Sequence, residues 1–422
     1  MEKITAIVIG AGSRGQCYTN EMFKYPDKFQ VVGVAEPIEN RREFVKNKHG
    51  ISDEHCFDTW EKILELPKFA DVAIISTMDR MHFAPAMEAI RKGYNLLLEK
   101  PAAPTAEECF LIEKEAKKYG VKILVCHVLR YTPFYTTLKR IIDEGRLGKI
   151  MSIQHCENVG NTHQSHSFVR GNWGNSVKST PMLLQKCCHD MDILQWLVGK
   201  DVKRASSFGS RSYFTEDNAP EGAPEYCIDG CPHADTCYYN AVKLYLESDS
   251  KWFRGAATGI VDPTDEQVET ALRTTQYGKC VYKCDNDVVD HQVVNLEFED
   301  GVVVDFNMCA FNQGGRYIRI MGTKGEIYNV GDDGRLKLFD FATRQIEEID
   351  VYAYGNTIDS GHGGGDAGII RALYDYITTG EVTEQLSEIG ISVKNHMIVF
   401  AAEQARLTGQ VVDVEEFKKT IQ

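Results

Sequence analysis

The run Ile7-Val8-Ile9-Gly10-Ala11-Gly12-Ser13-Arg14-Gly15 sets three glycines in G-x-G-x-x-G spacing, directly after an apolar strand and before a helical pattern. The first glycine lets the chain turn tightly off the strand. The second has no Cβ, so a phosphate can approach the backbone, and the third lets the next helix pack close to the sheet. That helix then offers free N–H groups to the phosphates. A lone glycine pattern also occurs in ordinary turns. Here the next apolar run ends in an acid, Val34-Ala35-Glu36-Pro37, about twenty residues on, where a dinucleotide fold holds the adenosine ribose. The expectation is a parallel sheet seating a dinucleotide, with Glu36 repelling a 2′-phosphate and favouring NAD over NADP. Arg41 and Arg42 follow and soften that preference, although a solvated helix face is the plainer reading for both.

Up to residue 126, apolar runs alternate with helical patterns. The runs are Ile4–Ile9, Gln30–Ala35, Asp71–Thr77, Tyr94–Leu98 and Lys122–Cys126; the helices are Gln16–Tyr25, Asn40–Lys48, Met81–Lys92 and Ala106–Tyr119. Strands separated by helices of this length make βαβ units. Residues 127–422 have a different texture. Helices are expected at Pro133–Glu144, Pro181–Leu197, Ala367–Thr378 and Ser392–Thr408, and a strand at Ile150–Glu157. Val293–Phe298, Val302–Ala310, Tyr317–Met321, Glu326–Val330 and Arg335–Phe339 read as an antiparallel meander with turns at Asp300-Gly301 and Asp333-Gly334. The expected fold is therefore α/β: a Rossmann domain over 1–126, then an α+β domain over 127–422 with a large open antiparallel sheet. Residues 211–285 are the least periodic and are read as a Cys-rich insertion.

A chain of 422 residues with 43% hydrophobic content can bury two cores. A net charge of −14 argues against nucleic acid or an anionic membrane as partner. No apolar run reaches the ~18 residues of a membrane span. An odd count of thirteen cysteines, with no recognisable export signal, points to a reducing cytoplasm. Cys227, Cys231 and Cys237, with His233 between, precede Cys280 and Cys284. These spacings are not those of a zinc ribbon, so no metal is assigned; free thiols or a disulfide are the alternatives.

Three further motifs carry the chemistry. Ser76-Thr77-Met78-Asp79-Arg80-Met81-His82 ends one strand, Glu99-Lys100-Pro101 ends the next, and Cys188-His189-Asp190-Met191-Asp192 lies on a later helix. With the glycine loop, they make the chain resemble the glucose–fructose oxidoreductase / inositol dehydrogenase / rhizopine-catabolism (Gfo/Idh/MocA) oxidoreductases over most of its length. The resemblance implies a cofactor site from Gly10, Gly12, Ser13, Arg14, Gly15, Glu36, Ser76, Thr77, Asp79, His82, Glu99 and Lys100. It also implies that Lys100 and His189 lie beside the nicotinamide and the substrate carbinol, and that the second sheet joins copies into a homodimer or homotetramer. Two stretches depart from the family pattern. Thr77-Met78-Asp79 stands where Thr-Pro-Asn is common, and Gln185-Lys186-Cys187-Cys188-His189 stands where Asp-x-Gly-x-His is common. The substrate or the proton path should differ accordingly.

Oxidising a secondary alcohol needs a hydride acceptor and a base. His189 is the candidate base, and Lys100 would polarise the reacting oxygen. On one unbroken helix Gln185, His189 and Asp192 form a stripe at i, i+4 and i+7, so Asp192 would fix the His189 tautomer and Gln185 would hold a substrate hydroxyl. Arg130, His166, Arg170, Trp173 and Lys186 are further candidates for the substrate pocket, Trp173 by stacking on a sugar face. Three cations, Arg130, Arg170 and Lys186, would suit an acidic sugar. His362-Gly363-Gly364-Gly365-Asp366 reads as a turn with a helix N-cap. The expected activity is NAD-dependent oxidation of a sugar, glycoside or cyclitol hydroxyl. The alternatives are a glycosidase working by transient oxidation and elimination, and a non-catalytic NAD- or sugar-sensing regulator.

Overall fold

The computed structural model describes residues 3–331, 334–352 and 361–421. The expected turn residue Asp333 lies outside them. Six strands form the first sheet: β1 (Ile4–Ile9), β2 (Phe29–Ala35), β3 (Cys56–Phe57), β4 (Val72–Ile75), β5 (Asn95–Leu98) and β6 (Ile123–Val125), in the order β3-β2-β1-β4-β5-β6. All pairings are parallel. The order reverses between β1 and β4, which opens a crevice at the strands' carboxyl ends, where ligands bind in open α/β sheets. Leu96, Leu97 and Leu98 of β5 are wholly buried, as expected of a strand covered on both faces.

Nine strands form the second sheet: β7 (Ile150–Asn158), β8 (Val202–Ser210), β9 (His291–Phe298), β10 (Val303–Cys309), β11 (Gly315–Gly322), β12 (Gly325–Asn329), β13 (Arg335–Asp340), β14 (Ile346–Asp350) and β15 (Val412–Asp413), in the order β14-β13-β12-β11-β7-β10-β9-β8-β15. The sheet is mixed, not purely antiparallel. β7 enters beside β10 and pairs with it in parallel, Val303 opposite Ser152 through Cys309 opposite Asn158. One face alternates buried Val294, Leu296, Phe298, Val304, Phe306 and Met308 into the core; the intervening residues are largely exposed.

The helix Ile389–Thr408 joins the two units. It packs on β8, on the Rossmann helix Ala106–Tyr119 and on the helix Cys188–Val198. Its His396 accepts the Ala102 N–H at 3.0 Å, just past Glu99-Lys100-Pro101. Residues 211–285 contain two helices, Lys251–Thr258 and Asp265–Thr274, around small apolar clusters of their own.

The expected helix Pro181–Leu197 is broken. Met182–Gln185 and Cys188–Val198 are separate, with Lys186 at φ −110°, ψ −54° and Cys187 at φ −89°, ψ 2°. The break has a physical cause in a contact from far along the chain. In an unbroken helix the Gln185 carbonyl would accept the His189 N–H; here it accepts Lys100 Nζ at 2.6 Å.

Candidate active site

The glycine loop has the shape its spacing implies. Gly10 has φ +89°, and a Cβ there would stand 2.6 Å from the Ser76 carbonyl oxygen; one on Gly15 would stand 2.0 Å from the Gly10 oxygen. A Cβ on Gly12 would meet only Arg41 Nη1, at 3.8 Å. The two outer glycines are therefore enforced by the protein, whereas the middle one leaves room for a ligand. Ser76 donates its hydroxyl to the Gly10 carbonyl at 2.7 Å, tying β4 to the loop. Glu36 is buried, with its Oε2 accepting the Ala11 N–H at 2.7 Å and its Oε1 the Ile38 N–H at 3.0 Å. Each carboxylate oxygen has a second lone pair, enough for ribose hydroxyls. These residues fit a dinucleotide.

Other expected cofactor residues act as ties. Arg14, in the glycine motif, donates Nε to Glu99 Oε1 at 2.8 Å and Nη2 to Asp366 Oδ1 at 2.6 Å. Tyr18 donates to the same Glu99 oxygen at 2.5 Å, and Glu99 Oε2 accepts the Lys100 N–H at 2.9 Å. Burial works against the charge on Glu99, but Arg14, Lys100 and Tyr18 hold its carboxyl below the usual range. Asp366 does not cap its helix; Gly364 is the N-cap and makes no side-chain cap. Instead Asp366 takes Arg14 and His362, which overcome burial and hold its carboxyl far down. His82 bonds the Pro101 carbonyl at 2.7 Å and the Thr77 carbonyl at 3.0 Å. Asp79 accepts from Trp173 Nε1 at 3.2 Å and from the Ser179 and Thr180 hydroxyls at 2.9 Å each, so it clamps the second domain to the end of β4.

Lys100 reaches the helix break that precedes His189. Lys100 Nζ spends one proton on the Gln185 carbonyl, which leaves two for another acceptor. His189 is 6% exposed and opens the next helix. Its ring lies 6.0 Å from that of His127 and 6.3 Å from that of His362, centroid to centroid. Burial first, then Lys100 and His127, push its pKa well below the ordinary imidazole value. Burial and the Lys100 charge thus both favour the neutral imidazole at His189.

Several expectations are corrected here. Asp192 makes no bond to His189. It accepts both Arg130 Nε, at 2.7 Å, and Nη2, at 2.8 Å, and also pairs with Asn395. The helix break takes Gln185 out of the i, i+4, i+7 stripe; His189 and Asp192 stay on one helix, but the Asp192 carboxylate is taken by Arg130 and Asn395. Arg130 is therefore a buried structural cation, not a pocket residue. Arg170 is 1% exposed and donates to the Lys279 and Tyr239 carbonyls inside the insertion. His166 is equally buried, bonded to Tyr245 Oη at 2.9 Å and packed among Trp252, Phe253 and Tyr277. Trp173 is held through its indole N–H and carbonyl, the carbonyl accepting Gln185 Nε2 at 2.8 Å. The Gln185 amide oxygen takes the Ser179 hydroxyl at 3.1 Å, so Gln185 braces the loop.

Lys186 remains near the cleft with a partner, Glu157, at 3.5 Å. Glu157 also pairs with Arg316, which donates Nε to Asp190 Oδ1 at 2.8 Å; the same Asp190 oxygen bonds His155 Nε2 at 2.8 Å. Sequence reasoning missed Arg316 and Glu157, since they sit in strands with no local motif. All thirteen cysteines are free thiols. Among the described residues no three His, Cys, Asp or Glu side chains converge as a metal set, and no helix is long and apolar enough to cross a membrane.

Fold and site together define a dinucleotide-binding Rossmann protein with a second, sheet-bearing unit. The family described as oxidoreductase family, NAD-binding Rossmann fold, matches residues 4–127, and its C-terminal alpha/beta domain matches residues 139–352. The chain belongs to the Gfo/Idh/MocA oxidoreductase family. It is 23% identical to YteT of Bacillus subtilis (strain 168), an oxidoreductase by name only, over 84% of each chain. It is 27% identical to an inositol 2-dehydrogenase of Burkholderia cenocepacia over 47% of this chain and 55% of that one. A crystal structure of an Agrobacterium radiobacter oxidoreductase in complex with NAD+, L-tartaric acid and magnesium shares the fold at a TM-score of 0.71, with 13% identity, covering 99% of this chain and 100% of that one.

Proposed function

We propose that the chain is an NAD-dependent dehydrogenase acting on a secondary hydroxyl of a neutral polyol, a sugar or cyclitol, with His189 as base and Lys100 as the oxyanion donor. The observation that carries this is Lys100 Nζ on the Gln185 carbonyl at the helix break, four residues before a buried His189 whose neutral form is favoured by burial and by the Lys100 charge. A dinucleotide held by its diphosphate at the glycine loop would supply its nicotinamide as the hydride acceptor. Gly10, Gly12, Gly15 and Glu36 would hold the dinucleotide, while Arg14 ties the glycine motif to Glu99 at the end of β5 and to Asp366. The His189 imidazole takes the hydroxyl proton. Lys100 donates an ammonium hydrogen bond to the same oxygen as charge builds there and keeps its proton, which stabilises the alkoxide in oxidation and polarises the carbonyl in reduction.

Charge counting favours a neutral substrate over an acidic one. Arg130 and Lys186 are each met by a carboxylate and Arg170 is sealed away, so none of the three expected cations is free for an anion. Arg316 is likewise offset by Glu157 and Asp190. Relatives named inositol 2-dehydrogenase support a polyol. Self-association is supported by exposed Phe208, Val293 and Val303 on the outer face of the second sheet. The test is a substrate panel of cyclitols, aldoses, glycosides and uronates with NAD. Net NADH with a cyclitol or neutral sugar supports the reading; turnover of uronates alone, or release of an aglycone with no net NADH, overturns it.

A further inference from the structure

The insertion reaches the cofactor groove. Its helix Lys251–Thr258 ends at Gly259 (φ +75°), and the chain then runs through Ile260 and Val261 to Asp262, whose φ is +50°. A non-glycine residue in this conformation is uncommon, and such outliers gather at functional sites. The turn is braced from behind: Arg254 donates to the Pro263 carbonyl at 3.2 Å and to Asp265 Oδ1 at 2.6 Å, and Thr264 with Gln267 forms a capping box on the next helix. In front, the Val261 N–H donates to Asn40 Oδ1 at 2.8 Å. A Cβ on Gly259 would lie 3.4 Å from Ile38 Cδ1 and 3.7 Å from Arg41 Nη2, and a Cβ on Gly12 would lie 3.8 Å from Arg41 Nη1.

The Arg41 guanidinium therefore stands between two glycines, the open one of the dinucleotide loop and Gly259 of the insertion. It forms no ion pair or hydrogen bond among the described residues. Its neighbour Arg42, by contrast, is committed to the Glu36 and Pro37 carbonyls at 2.6 and 3.3 Å. Beside Arg41, Ile38 keeps 37% of its surface exposed, an apolar face next to the ribose acid. A guanidinium without a counter-ion, set over a glycine that leaves backbone N–H groups accessible, is built to take phosphate oxygens. Its position beside Gly12 favours the diphosphate as its ligand.

We propose that the insertion is part of the cofactor site: Gly259–Val261 closes the adenosine side of the groove and holds Arg41 over Gly12 as a ligand of the cofactor diphosphate, slowing cofactor release. This rests on the dinucleotide reading of the glycine loop. The test is equilibrium binding and dissociation kinetics of NAD, NADP and ADP-ribose on the full chain, followed by fluorescence, for wild type, Arg41→Ala and Asn40→Ala, with thermal melts to confirm folding. Arg41→Ala should weaken NAD and ADP-ribose about ten-fold or more and by the same factor, the loss of a charge-assisted contact, and should speed NAD release. Asn40→Ala, which frees the Val261 N–H, should speed release with a smaller loss of affinity. Unchanged NAD binding and release in both variants overturns this proposal alone. A loss confined to NADP also overturns it, by assigning Arg41 to a 2′-phosphate. A wild-type chain that binds none of the three overturns it together with the reading beneath it.

Discussion

Mild acid should destabilise this protein well before its carboxylates titrate. His166, His189 and His396 are buried and His163 is largely so, and burial lowers each imidazole's pKa, to about 3 for His163, about 4 for His166 and about 3 for His396. The folded state holds these rings neutral, while the unfolded chain protonates them near 6.5. The unfolded state therefore binds more protons below that value, and stability falls as pH falls. From pH 7 to 5.5 each ring costs about 1.3 kcal/mol, or roughly 5 kcal/mol for the four. That is a large part of the 5–15 kcal/mol typical of a folded domain. With an unfolding entropy of roughly 2.1 cal/mol/K per residue, the loss lowers Tm by about 5 °C. Carboxylates held below their ordinary pKa, such as Asp366, give nothing in this window. Thermal melts at pH 7.0 and 5.5, at fixed ionic strength, measure the effect. His396→Gln should shrink the pH dependence by about a quarter. A Tm that does not move between the two pH values would refute the reasoning.

The glycine loop separates folding from binding. Gly12→Ala should melt within about 1 °C of wild type yet lose NAD binding measured by fluorescence titration, whereas Gly15→Ala should lose stability, because its Cβ would strike the Gly10 carbonyl. Asp192→Ala removes the partner of a buried guanidinium and should cost about 3–5 kcal/mol in denaturant unfolding. His189→Asn should lower kcat by about 10²–10⁴-fold with Tm little changed. The acid limb of the wild-type kcat/KM profile should lie well below 6.5, since the His189 pKa is depressed; a limb at the ordinary imidazole value would contradict the assignment.

Local sequence carried much of the fold. β1 and the helix Ala106–Tyr119 fall where their patterns place them, because a continuous apolar run and a Thr105 cap are local signals. The short β3 and the helix Trp60–Glu65 were not legible, and neither was β8, whose Val-Lys-Arg-Ala-Ser-Ser run has little apolar periodicity and is held by its pairing with β9. At the site, the glycines and Lys100 were legible for the same local reason. The break at Lys186-Cys187 was not: the apolar positions run on through it, and the cause is a lysine 85 positions away. Arg130 and Arg170 look like pocket cations in sequence because their buried partners, Asp192 and two insertion carbonyls, are brought to them only by the tertiary fold.

The central claim is that Lys100 and His189 together carry out alcohol oxidation, and nicotinamide absorbance at fixed polyol and NAD tests it most directly in wild type, Lys100→Met and His189→Asn. The account predicts net NADH from the wild type with a neutral cyclitol or sugar, and losses of at least about 10²-fold in both variants with NAD still bound. Equal turnover in all three proteins would contradict it.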